Sequence, residues 1–220
     1  MYDMGEALCS ILWQERERWR FDDEQAYIAF REDNTGTLCA GGGFCWSILA
    51  TIKWKATAIE PLNHNQISQD QQSPHLLGQL NLEITLTKDL PSWAQNGLHA
   101  KNPMLNGGAL TDDAFQPKSF LVRIEQGKFA TPANIEVGFS PDCDANYTKR
   151  LVFNRSPYPP ESEWKEAWKE DWLDFEGHNW WDCKEFVGYF LPNPSVNIDE
   201  YQKHVALLLE KRFSNHVKPS

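Results

Sequence analysis

From Phe44 to Lys55 apolar and polar residues alternate along the chain. Phe44, Trp46, Ile48, Ala50, Ile52 and Trp54 share one side, and Cys45, Ser47, Leu49, Thr51, Lys53 and Lys55 share the other. Successive side chains of a strand leave on opposite faces, so this spelling predicts a β-strand with an apolar face over a core, as an antiparallel sheet requires. At about 3.3 Å per residue it spans about 40 Å, long enough to bend around a barrel. Gln79 to Thr87 repeats the pattern, with Leu80, Leu82, Ile84 and Leu86 facing one way. Phe120, Val122 and Ile124 alternate with Leu121, Arg123 and Glu125, after which Gln126-Gly127 is expected to turn the chain and Lys128 to Ala130 to start back. Shorter strands are expected at Tyr27 to Phe30 and Thr37 to Cys39, joined by the turn residues Asp33-Asn34-Thr35-Gly36, and at Ile135 to Phe139 and Tyr147 to Phe153. A short helix is expected within Leu8 to Arg20, with Trp19 and Phe21 on one face of the extended piece that follows it.

Gly41-Gly42-Gly43 precedes the long strand. A bulge or sharp corner that lets the sheet curl competes with a phosphate-cradling loop, and the second fails because such loops open a helix while here a strand follows. The polar stretch between Glu60 and His75 reads as a long loop, and Lys88 to Lys118 as an irregular excursion of a length that is usually functional, placed to lid one barrel end. After Pro157, Pro159 and Pro160 the spacing changes from two to four. Trp164, Trp168 and Trp172 then form one helical stripe, most simply the face with which a helix covers the sheet. Asn197 and Glu200 match the capping positions of a final helix.

Composition narrows the function more than it reveals it. The 220 residues suit a single barrel at 13–155 with an extension at 156–220 carrying one or two helices, and the aromatic content of 13%, including 10 Trp, is high. A formal net charge of −10 disfavours nucleic acid as a partner. No apolar run approaches the roughly 20 residues of a membrane span. Asp3 and Glu6 stand where a secretory signal carries positive charge, so a soluble cytoplasmic protein is expected. Five cysteines without a CxxC pair fit neither a disulfide framework nor a zinc finger and read as reduced, buried thiols.

Catalytic signatures are weak. His178, Asp182 and Cys183 hold the atoms of a metal site or a Cys/His pair without a defensible spacing, and Asp142-Cys143-Asp144 follows Pro141 in a turn; no metal is expected. No G-x-S-x-G elbow is present, and Asp33, Glu83 and Glu125 read as solvated carboxylates. The catalytic residues are therefore left unknown and no cofactor is expected. The more economical idea places a small apolar or aromatic molecule inside the barrel, lined by Trp46, Ile48, Ile52, Trp54, Leu82, Ile84 and Val122 if the apolar face is the inner one; the alternative is that these seven are plain core.

The order of elements, a Trp near the first strand, a meander with one long strand, then a closing helix, resembles the lipocalin or calycin barrel over about residues 17–155. That family opens with Gly-x-Trp, and the corresponding place here reads Glu17-Arg18-Trp19, so only the Trp carries over; the 88–118 excursion is not part of the pattern. More specifically, Arg18-Trp19-Arg20-Phe21, Asn34-Thr35-Gly36-Thr37, 80–87, Leu90-Pro91-Ser92-Trp93 and 156–160 together resemble a group of uncharacterised hypothetical proteins of filamentous fungi. The resemblance brings no catalytic residue or cofactor, and by fold analogy it implies a cofactor-independent cyclase or isomerase of secondary metabolism as a second reading. The expectation is a mainly β protein, an antiparallel lipocalin-like barrel or strongly curled sheet, that binds a small apolar molecule. A protein-interaction scaffold using the Trp stripe is the third reading.

Overall fold

A computed structural model of the chain describes residues 4–14, 18–23, 26–42, 45–60, 74–96, 98–136, 138, 146–166 and 179–190. The chain divides into a unit Met1–Phe190 and a second, Leu191–Ser220; the expected final helix lies in the second, outside the described residues.

Eight antiparallel strands close in sequence order into an up-and-down barrel. They are β1 (Arg18–Arg20), β2 (Tyr27–Phe30), β3 (Thr35–Gly42), β4 (Cys45–Glu60), β5 (His75–Leu86), β6 (Lys118–Phe129), β7 (Tyr147–Phe153) and β8 (Glu185–Phe190). Closure removes the free sheet edges that otherwise invite aggregation. The seam is narrow: β1 meets β8 through one register pair, Arg20 with Val187. Because β8 comes from 185–190, the barrel runs past the expected boundary at residue 155.

The apolar faces point inward, as the period-two spelling predicts. Ile48, Ile52, Trp54, Leu80, Leu82, Ile84, Phe120, Val122, Ile124, Leu151, Phe153 and Phe186 form one continuous buried cluster. Buried aromatic pairs such as Phe30 with Trp54 and Phe120 with Phe153 meet edge to face. An eight-stranded barrel is just wide enough for side chains to fill it. This one is filled along its axis.

The two ends close differently. Helix α1 (Met4–Trp13) lays Leu8 and Leu12 over one end, and Leu8 comes so near Gly78 that a Cβ there would lie 2.5 Å from its Cδ1. The last carbonyls of a helix lack intrahelical partners. Here Tyr189 Oη donates to Ile11 O at 2.6 Å and Trp19 Nε1 to Leu12 O at 3.0 Å. At the other end Tyr158, Trp164 and Trp180 join Ala109, Leu110 and Ala114 from the long excursion as a plug continuous with the core. Tyr158 Oη donates to Cys39 O at 2.6 Å and Ser156 Oγ to Trp180 O at 2.8 Å.

Several expectations are corrected by this arrangement. A register shift between Ala40 and Gly41 turns Trp46 to the opposite side from Ile48, so it packs on the outer face beside Tyr27, Cys39 and Leu49. A one-residue slip does this because side-chain direction has a period of two. Gln126-Gly127 is a bulge within a continuous β6, not a hairpin turn; a Cβ at Gly127 would lie 3.0 Å from the Phe129 ring, so the bare backbone makes the kink possible. The expected strand at Ile135 is instead helix α2 (Pro132–Glu136), opened by a proline in its first turn and followed by Gly138 at φ 91°. Trp164 lies outside any helix, in extended backbone after a 3₁₀ turn at Glu161–Glu163, and bridges to Leu110; Trp168 and Trp172 lie outside the described residues.

Candidate functional site

The site is built where the excursion folds back on the barrel. Residues 45–51 of β4 extend beyond the end of β5, whose last pair is Ile52 with Leu86, and this stretch needs another partner for its backbone. The excursion supplies it. Asn106 accepts from Leu49 N with Oδ1 at 2.9 Å and donates to Leu49 O with Nδ2 at 2.9 Å, one side-chain amide standing in for a strand residue. Thr51 N donates to Asp89 O at 2.8 Å and Thr87 N to Thr51 O at 2.9 Å. Asn106 itself sits at φ 49°, a conformation asparagine tolerates better than most residues. Leu105 and Ala94 then cover the outer-face cluster of Tyr27, Cys39 and Leu49. The excursion thus wraps the outside of the barrel as well as lidding its end.

The second half of the excursion roofs a crevice lined by Leu38, Ile84, Leu86, Ala114, Gln116, Lys118, Phe120, Pro157 and Pro159. Its floor is the end of the barrel core. One wall, 156–160, is fixed by the buried Tyr158 and Ser156 hydrogen bonds. The other is the 3₁₀ turn Asp112–Phe115, which buries Ala114 on its inner side and is held on its outer side by surface contacts: Lys88 Nζ pairs with Asp112 at 2.7 Å and lies 5.2 Å from the centre of the Phe115 ring. The Lys88 ammonium beside it holds the Asp112 carboxyl below its ordinary value. The walls are zipped together where Thr111 N donates to Glu163 O and Lys165 N to Ala109 O, both at 2.9 Å. Lys118, at the start of β6, pairs with the carboxylate of Glu163, and both side chains are largely withdrawn from water. The enclosed space is about 10 Å³, room for about one water molecule.

No protein-family model, no curated protein and no solved structure matches this chain.

Of the seven residues expected to line a ligand, Ile84 reaches the crevice. Ile48, Ile52, Trp54, Leu82 and Val122 pack into the core, and Trp46 lies outside it. Leu38, Leu86, Phe120 and Lys118 are members that the sequence reading missed as a set. Leu86 and Phe120 continue the alternations of Ile84 and Val122, whereas Lys118 carried no signal. Among the described residues no group of His, Cys, Asp or Glu is placed to hold a metal ion. Cys183 is buried after the 3₁₀ turn at Trp180–Asp182, and His178 and Asp142 to Asp144 lie outside the described residues. Glu125 is not a solvated carboxylate. Arg150 grips it with Nε at 3.0 Å and Nη2 at 2.7 Å and reaches Glu185 with Nη1 at 2.9 Å, a ladder across β6, β7 and β8. Glu83 pairs with Lys55 at 2.9 Å, and Asp33 is an exposed turn carboxylate held below its ordinary value by hydrogen bonds from Thr35.

Four further ionisable groups are displaced by burial in packed surroundings. Burial pushes the Cys39 thiol up to about 12 from 9.0, and burial likewise raises Tyr27, Tyr158 and Cys183. Each is a group kept neutral in the folded state above its ordinary pKa. The stability tied to a thiol is complete below its unfolded value and is lost as pH rises through the folded one. Between pH 8 and 10, where the unfolded chain ionises its thiols and begins to ionise its tyrosines, Cys39 by itself is expected to cost about 1 kcal/mol of folding stability. Urea unfolding at pH 8 and pH 10 measures the loss, and Cys39→Ala should shrink it; an unchanged loss in that variant would place the effect elsewhere.

Proposed function

We propose that the protein is a non-catalytic binding module for a small apolar or aromatic molecule, taken into the end crevice rather than the barrel axis. The observation that carries this reading is the crevice itself: an apolar floor of Leu38, Ile84, Leu86 and Phe120 between one wall anchored in the core and one held at the surface. Closed, it has room for about one water, so a ligand enters by displacing the Asp112–Phe115 turn, whose outer side is held by an exposed ion pair and whose Ala114 must leave its buried place. Binding ranks above a cyclase or isomerase because the groups with raised pKa values are not among the lining residues: Tyr27, Cys39 and Cys183 lie elsewhere, and Tyr158, within the 156–160 wall, commits its hydroxyl to Cys39 O. It ranks above a Trp-stripe scaffold because Trp164 is only 2% exposed.

Titration with 2-phenylethanol, followed by amide chemical shifts, is expected to move residues around Ile84, Ala114 and Phe120 in a saturable way. Gln116 is exposed at the rim, so Gln116→Trp should cover the opening without touching the core and weaken the binding. Shifts scattered over the surface, or affinity unchanged by Gln116→Trp, would remove the crevice as the site.

A further inference from the structure

Resting on that reading, we propose that the ligand is an apolar carboxylic acid, and that in the free protein Glu163 occupies the place of its carboxylate on Lys118. Among the described residues Lys118 is the one charged residue lining the crevice, and its lining is otherwise apolar apart from Gln116. The Lys118 side chain is 20% exposed and that of Glu163 15%, so the pair is formed at a depth where desolvation offsets much of the attraction. A lysine at such a site needs a carboxylate beside it.

The two partners belong to separate parts of the fold. Lys118 opens β6, whereas Glu163 ends a 3₁₀ turn whose backbone is tied independently, its carbonyl accepting from Thr111 N. The Glu163 side chain can therefore leave Lys118 without disturbing that backbone bond. Entry of an apolar acid exchanges one carboxylate for another on the same ammonium. The charge balance of the crevice is unchanged, and the apolar body against Leu38, Leu86 and Phe120 supplies the favourable surplus. A neutral ligand of the same shape leaves the Lys118 to Glu163 pair where it is. The Glu163 carboxylate thus acts as a built-in competitor for acids alone.

The test uses the full chain and two probes matched in shape, phenylacetate and 2-phenylethanol, in calorimetric titrations. Glu163→Gln is expected to tighten phenylacetate about tenfold while leaving 2-phenylethanol unchanged. Replacing both partners, Lys118→Met with Glu163→Met, leaves neither charge orphaned and should abolish the preference for the acid while the alcohol still binds. If the alcohol binds in every variant and the ratio of acid to alcohol affinity never changes, the carboxylate inference fails and the binding reading stands. If neither probe binds any variant, both are overturned.

Discussion

Asn106→Ala is expected to lower folding stability by about 3–5 kcal/mol, enough to unfold a marginal domain. The residue is 2% exposed, and its amide is the partner of both the N–H and the C=O of Leu49, with a third, longer contact of 3.4 Å to Lys88 O. Truncation orphans two buried backbone groups, each costing about 1–3 kcal/mol. It also forces alanine to the positive φ of this position. Two further variants separate these causes. Asn106→Gly relieves the backbone and removes only the amide. Asn106→Asp keeps an acceptor for Leu49 N and loses the donor to Leu49 O. Urea unfolding should rank both well below the native protein. An Asn106→Gly variant as stable as the native chain would show that the conformation, and not the amide clamp, is what the site requires.

Trp19→Ala is expected to cost about 3–5 kcal/mol and to open the barrel at its seam. Trp19 is fully buried and ties β1 to two other elements: its Nε1 reaches Leu12 in α1, and in β8 its ring meets Tyr189 at 5.7 Å between centroids and its face lies on Gly188. With β1 only three residues long and one register pair to β8, side-chain packing holds the seam more than backbone pairing does. Hydrogen exchange should therefore accelerate first at the amides of Val187 and Arg20 while the centre of β5 and β6 remains protected. Gly188→Ala approaches the same contact from the other side. Its Cβ would lie 2.9 Å from Trp19 Cε3, and overpacking of that kind costs about 1–3 kcal/mol. Uniform acceleration across all strands in Trp19→Ala would refute a seam-specific role.

Both positions lie outside the repeating patterns from which the barrel can be read. Alternation along β4, β5 and β6 requires a sheet with one oily face. A sheet with that many residues of consistent inward spelling curls and closes, which is why Ile48, Ile52, Leu82, Ile84 and Val122 are found inside it. Tyr27–Phe30 and Tyr147–Phe153 come out with the bounds their spelling implies, because each is a short stretch rich in aromatic and β-branched residues between turn residues. β8 hides for a local reason. Gly188 stands where an inward side chain would mark the rhythm, and Tyr189 at φ 63° turns its ring out of sequence, so Glu185–Phe190 shows aromatic density without a period. The rhythm is erased by the same residue that makes room for Trp19.

What the chain's order of residues decides by itself is the curled β architecture and the inward direction of its oily faces, because both follow from side-chain alternation between nearest neighbours. Tertiary structure alone decides the rest. The bulge after Ala40 sends Trp46 outside, the Asn106 clamp joins positions 57 residues apart, and Lys118 meets Glu163 across 45 residues. Such pairings depend on which backbone groups and charges are left unmatched once the barrel has closed, a condition that no local window of sequence contains.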